Sequence, residues 1–161
     1  MAADAPRNNE PVGDGRQSAR ALAIQRGTCR LLTSFGFAPL TELPLSTGHR
    51  ADVAALGPKG EIWIVEIKSS LEDFRADRKW HHYLDHCDRL FFSVLADFPA
   101  EFLPPEAGLI IADRFGAAIV RDAPEDRLTA PRRRQVQLRF ARAAAQKLHG
   151  LADPGGTQPP R

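Results

Sequence analysis

The sequence predicts an α/β domain built on a mixed β-sheet flanked by helices. Three observations carry that expectation. Glu61 to Lys68 reads as a strand with apolar residues on both faces, which marks a central position in a sheet. Arg16–Phe35 and Arg132–His149 carry apolar residues at helical spacing near the two ends of the chain. Between them the order is three strands, a helix, a strand and a hairpin, an alternation that needs helices packed on the sheet. At 161 residues the chain is long enough to bury a core and fits one domain. That domain is expected over residues 16–149, between polar, Pro- and Gly-containing tails at 1–15 and 150–161 that read as disordered.

The first helix is predicted to bury Ala21, Ile24, Thr28, Leu31, Leu32 and Phe35, and Gly36 to end it as a C-cap. Its Arg16, Arg20, Arg26 and Arg30 fall within an arc of about 120°, and it contains no acid. A solvated face usually mixes both signs, so the one-sided charge points to a polyanion. Ala38–Ser46 reads as a strand that Pro44 confines to an edge or a bulge. His49–Leu56 and Glu61–Lys68 follow as two strands joined by the turn Gly57-Pro58-Lys59-Gly60. Leu71–Asp88 has a helical pattern, with Ser69 or Ser70 as its N-cap and Glu72 and Asp73 in its first turn. Asp88–Leu95 is the fourth strand, and Gly108–Ala112 and Ala117–Arg121 form a hairpin around Asp113–Gly116. The last helix holds Arg132, Arg133, Arg134, Arg139, Arg142 and Lys147 without an acid, and Gln135, Arg139, Arg142 and Gln146 make a polar stripe. Its charge again favours nucleic acid.

The formal charge of +2 says little about partners, so the distribution of charge carries that argument. No run approaches the roughly 20 apolar residues of a membrane span. The N-terminus lacks the basic-then-apolar order of a secretory signal. Cys29 and Cys87 do not make a disulfide framework. A cytoplasmic location without membrane contact is the expectation.

Asp52, Glu66 and Lys68 are the charged side chains a sheet has least reason to contain. Glu66 and Lys68 share one face of the buried third strand, near its end. Buried charges are normally paired or bound to a metal, so an ion network among the three is one reading. Asp52 followed about a dozen residues later by Glu66-Ile67-Lys68, on adjacent strands, resembles the PD-(D/E)XK nuclease superfamily. The segments HRADVAALGPKGEIWIVEIKSSLEDFRADRKW, HCDRLFFSV and GLIIADRFGAAIVRDAPEDRL are similar to the bacterial MmcB-like DNA repair family over most of residues 17–149. The resemblance implies a restriction-endonuclease-like fold, a role in DNA repair, and DNA as partner.

It further implies hydrolysis of DNA phosphodiester bonds with Mg²⁺ or Mn²⁺. Asp52, Glu66 and the Ile67 carbonyl would hold the cation, and Lys68 would position the attacking water or stabilise charge on the phosphate. The chain departs from the superfamily pattern in two places. Ala51 stands where a proline often precedes the first acid, and the first helix has no glutamate. Glu42 is the nearest substitute and becomes the candidate auxiliary metal ligand; without it the site suits one metal. Asp73, Arg78 and Lys79 follow closely enough to reach a phosphate, although a solvated helix surface explains them equally well.

Trp80 and Tyr83 can stack on bases or pack in the core. His82 and His86 at i, i+4 can chelate a metal but have no further ligand pair nearby, and His49 is a candidate neighbour of the site. Three functions stay open: a metal-dependent nuclease in repair, a nuclease-fold protein that binds DNA or a repair partner without cutting, and an interaction domain whose charged triplet is an ion network. A homodimer through the Asp113–Gly116 hairpin is a further expectation.

Overall fold

A computed structural model describes residues 18–156. The expected tail at 1–15, Arg16 and residues 157–161 lie outside it. The elements are α1 (Ala19–Ser34), β1 (Ala38–Pro44), β2 (Arg50–Leu56), β3 (Ile62–Ile67), α2 (Leu71–Ala76), a 3₁₀ segment (Trp80–His86), β4 (Arg89–Val94), β5 (Gly108–Ala112), β6 (Ala117–Arg121) and α3 (Ala130–Ala152), with a short 3₁₀ turn at Ala100–Phe102. The six strands lie side by side in chain order. β3, β4 and β5 run parallel to one another, and the remaining neighbours pair antiparallel. The fold is α/β with a mixed sheet, in the expected element order.

The predicted alternation of β3 holds. Val65 and Ile67 pack with Ile24 and Leu32 of α1, while Ile62 and Ile64 pack with Trp80, Tyr83 and Val136 on the opposite face. Among the described residues β1 is an edge strand, paired with β2 alone, which accommodates Pro44. Gly36 adopts φ +82 just beyond α1, the left-handed conformation that ends helices.

Four expectations need correction. Helix α1 begins at Ala19, where the Ser18 hydroxyl accepts the Ala21 N–H, rather than at Arg16. Phe35 caps that helix with about half its surface exposed instead of joining the core. The single helix expected over Leu71–Asp88 is broken at Asp77. The carboxylate of Asp77 accepts the Lys79 N–H at 2.8 Å, a local turn that competes with helix continuation, and the chain re-forms as 3₁₀ from Trp80. The disordered C-terminal tail does not start at Gly150, because α3 runs on to Ala152. A glycine in an exposed helix weakens it by only about 1 kcal/mol, and Pro154 is the residue whose ring excludes a continued helix.

Two tertiary ties fix the elements around β3. The buried Asp88 accepts two hydrogen bonds from Arg133 of α3, both 2.7 Å, and the N–H groups of Ile62 and Leu128. On the other face Gly27 of α1 lies so close to the β5–β6 turn that a Cβ there would overlap the Asp113 carbonyl.

Candidate functional site

The site forms where the ladder between β2 and β3 stops. Backbone pairing runs from Leu56–Ile62 to Val53–Val65. At the next step the two carboxylates take over. The Asp52 N–H donates to Glu66 Oε1 at 3.1 Å, and the Ile67 N–H donates to Asp52 Oδ2 at 2.8 Å. Each acid therefore holds the other strand's backbone with one oxygen. The second oxygen of each, Asp52 Oδ1 and Glu66 Oε2, takes no N–H among the described residues.

Glu66 is 4% exposed. Burial, followed by the negative charge of Asp52, pushes its carboxyl up to about 9. Burial also raises Asp52, with the Ile67 N–H and the Lys68 charge pulling the other way. Two buried acids this close favour a shared proton over two charges.

Lys68, 6% exposed, lies on the same face and donates from Nζ to Asp77 Oδ2 at 2.7 Å. Burial opposes ionisation of Asp77, but the Lys68 ammonium and the Lys79 N–H bring it below its ordinary value. The Tyr83 hydroxyl donates to the Arg50 carbonyl at 2.9 Å. It is raised by burial and by the charges of Glu66, Asp52 and Asp77. A cleft of about 430 Å³ opens over these groups, with Asp73, Lys79, the α1 cap Ser18 and Ala21 of α1 on its walls.

The donors available to a cation are hard oxygens: two carboxylates and the backbone around Ile67. They fit Mg²⁺ or Mn²⁺ better than a soft ion. Among the described residues no group of three or more His, Cys, Asp or Glu side chains is placed to hold a metal, so solvent and substrate oxygens would complete such a shell.

The structure brings Asp52, Glu66, Ile67, Lys68, Asp73 and Lys79 to the cleft. Glu42 is not among them. Its backbone sits at φ 57, outside the strand pleat, and its carboxylate lies exposed 3.7 Å from Arg50 instead of facing Asp52. The expected auxiliary ligand is thus turned away from the site. Arg78 is exposed and does not line the cleft. Arg20 is held by Asp97 at 2.9 and 3.0 Å and by the Ser69 carbonyl, so it clamps α1 to the ends of β3 and β4. Arg30 donates to the Phe115 carbonyl at 3.0 Å, and Arg26 is exposed beside it. Arg139 and Arg142 are exposed on α3.

Trp80 and Tyr83 belong to the core, with Trp80 packed edge-on against Phe92. His82 is exposed while His86 is buried, because a 3₁₀ segment does not align i with i+4. His49 packs against His82 and Tyr83, one layer outside the cleft. Sequence reasoning missed Asp77 as the partner of Lys68, since the broken helix that places it leaves no periodic signal.

The family described as "DNA repair protein MmcB-like" matches residues 8–155 of the chain. The solved structure of a protein of unknown function from Silicibacter pomeroyi is 47% identical, with a TM-score of 0.83, and the match covers 89% of this chain and 98% of that one. A repair endonuclease from Pyrococcus abyssi matches over 55% of this chain and 40% of its own at 19% identity and a TM-score of 0.31, a likeness too weak to carry an argument. No curated protein matches the chain in sequence.

Proposed function

The chain belongs to the MmcB-like DNA repair protein family, and on that premise we propose that it hydrolyses DNA phosphodiester bonds with the help of a divalent cation. One observation carries the reading. Asp52 and Glu66 each give one oxygen to the opposite strand's backbone and together line the cleft, with Lys68 beside them on the same face. Two acids buried side by side at a strand end are costly unless they share a proton or hold a cation, and a cation is the occupant this reading assigns to them.

In this reading Asp52 and Glu66, with the Ile67 carbonyl, hold Mg²⁺ or Mn²⁺. The cation supplies Lewis-acid stabilisation of charge on the phosphoryl oxygens. Lys68 orients the attacking water or the phosphate, and Asp77 fixes the position of its ammonium group. Lys79 at the cleft wall meets the substrate backbone.

A second reading has a specific observation behind it. Lys68 already forms an ion pair with Asp77, and Glu42 adds no third acid, which suits a protein that binds DNA or a repair partner without cutting. Incubation with supercoiled, nicked, branched and single-stranded DNA in Mg²⁺ or Mn²⁺ separates the two. Cleavage by the wild type that is lost in both Glu66→Ala and Lys68→Ala supports hydrolysis. Salt-sensitive binding with no cleavage in any cation replaces it with the second reading, and failure to bind any nucleic acid at low salt removes both.

A further inference from the structure

We propose that the β5–β6 tip is a stacking site for an unpaired nucleobase, which makes DNA with a single-stranded segment the preferred ligand. This deepens the DNA reading above and rests on it. Phe115 is 67% exposed at the end of the hairpin, although a phenyl ring gains most by burial. The Arg114 guanidinium lies 4.5 Å from its centroid, leaving the ring in a cationic setting. Aromatic faces with adjacent arginines are how single-stranded nucleic acid is held without sequence preference.

The tip is built rigidly. Asp113 Oδ1 accepts the N–H groups of Phe115 and Gly116 at 2.8 and 3.0 Å, and Arg30 binds the Phe115 carbonyl. Gly27 of α1 seats directly against the turn. Beside the ring a groove of about 670 Å³ runs along Leu95, Ile111, Ala112 and Ala118. Of its two acids Asp97 is paired with Arg20, while Asp113 keeps its charge and spends its acceptor oxygen on the turn, so Arg114, Arg26 and Arg30 are the groups that favour a phosphate backbone here.

Helix α1 connects this tip to the carboxylate cleft. Ala21 lines the cleft, and Arg30 touches the tip nine residues further on, about 14 Å along the axis, or the rise of about four stacked nucleotides. Arg26 and Arg30 face solvent near the tip, where they can meet phosphates. A second copy of the chain is a poorer occupant. One ring falls far short of the roughly 800 Å² per partner of a stable interface, and a two-fold contact would bring two arginine-ringed tips together.

The test is fluorescence anisotropy in EDTA, so that binding is read without cleavage, using a labelled oligothymidylate and a blunt duplex of equal length. Phe115→Ala is expected to weaken oligothymidylate binding about tenfold, to leave duplex binding within about twofold, and Phe115→Trp to restore it. Equal loss on both ligands, or no loss on either, overturns the stacking site while leaving hydrolysis standing. A dimeric wild type that becomes monomeric as Phe115→Ala overturns it in favour of a second copy. A wild type that binds neither ligand removes the DNA reading itself.

Discussion

At the scale of single residues, the acids of the cleft act through protonation. Folding raises Glu66 to about 9, so the folded state favours its neutral form. The stability this contributes is fully present below about pH 4 and is lost as pH rises toward about 9. In EDTA, the melting temperature of the wild type should fall between pH 6 and pH 9 more steeply than that of Glu66→Gln, by several degrees. Parallel profiles would mean that Glu66 is not held neutral. Mn²⁺ should reverse the trend and stabilise the wild type more at the alkaline end, because binding has to displace the shared proton. The partner acid Asp77 admits a separate measurement. Its pair with Lys68 is largely buried on both sides, so a Lys68→Ala/Asp77→Ala double-mutant cycle in urea should give a coupling of about 2 kcal/mol. Additive losses would show that the contact contributes nothing beyond packing.

At the scale of elements, the strands were readable because their signal is local. The alternation of Ile62, Ile64 and Glu66 against Trp63, Val65 and Ile67 named both faces of β3, and Pro44 named the edge. The segment after β3 was not readable, because Asp77 stops α2 by a side-chain turn whose second partner, Lys68, comes from another element. Glu42 misled for a related reason, since nothing in a strand-like pattern announces a left-handed residue within it. Asp88 gave no signal either, and its importance comes from Arg133, 45 positions away. It fastens α3 to the start of β4 with two charge-assisted bonds and takes two backbone N–H groups besides. Asp88→Ala should destabilise by about 3 kcal/mol or more in urea unfolding, while Asp122→Ala, whose carboxylate is exposed, should stay within about 0.5 kcal/mol. Comparable effects of the two would reject Asp88 as the tie.

At the scale of the whole molecule, the question is what the acid-free helices do with their charge. The sequence offered both as polyanion faces, but the structure divides their arginines into two groups. Arg20 spends its charge on Asp97 and Arg133 on Asp88, so both serve the fold. Arg139 and Arg142 remain exposed in a stripe with Gln135 and Gln146. Helix α3 packs against the 3₁₀ segment that walls the cleft through Tyr83, and Arg139 lies near enough to His86 of that segment to add to the lowering by burial and Arg132. A duplex lying across the cleft would reach α3 by that route. Each phosphate contact releases counterions and adds about 0.9 to the slope of log affinity against log salt. Arg139→Ala/Arg142→Ala should therefore lower the slope measured for duplex DNA by about 2 and leave the melting temperature nearly unchanged. Arg20→Ala should do the reverse, lowering the melting temperature with little change in slope, because its cation is already neutralised within the fold. If the double substitution on α3 leaves the slope intact, α3 is a solvated helix, and DNA contact is confined to the cleft and the side reached by α1.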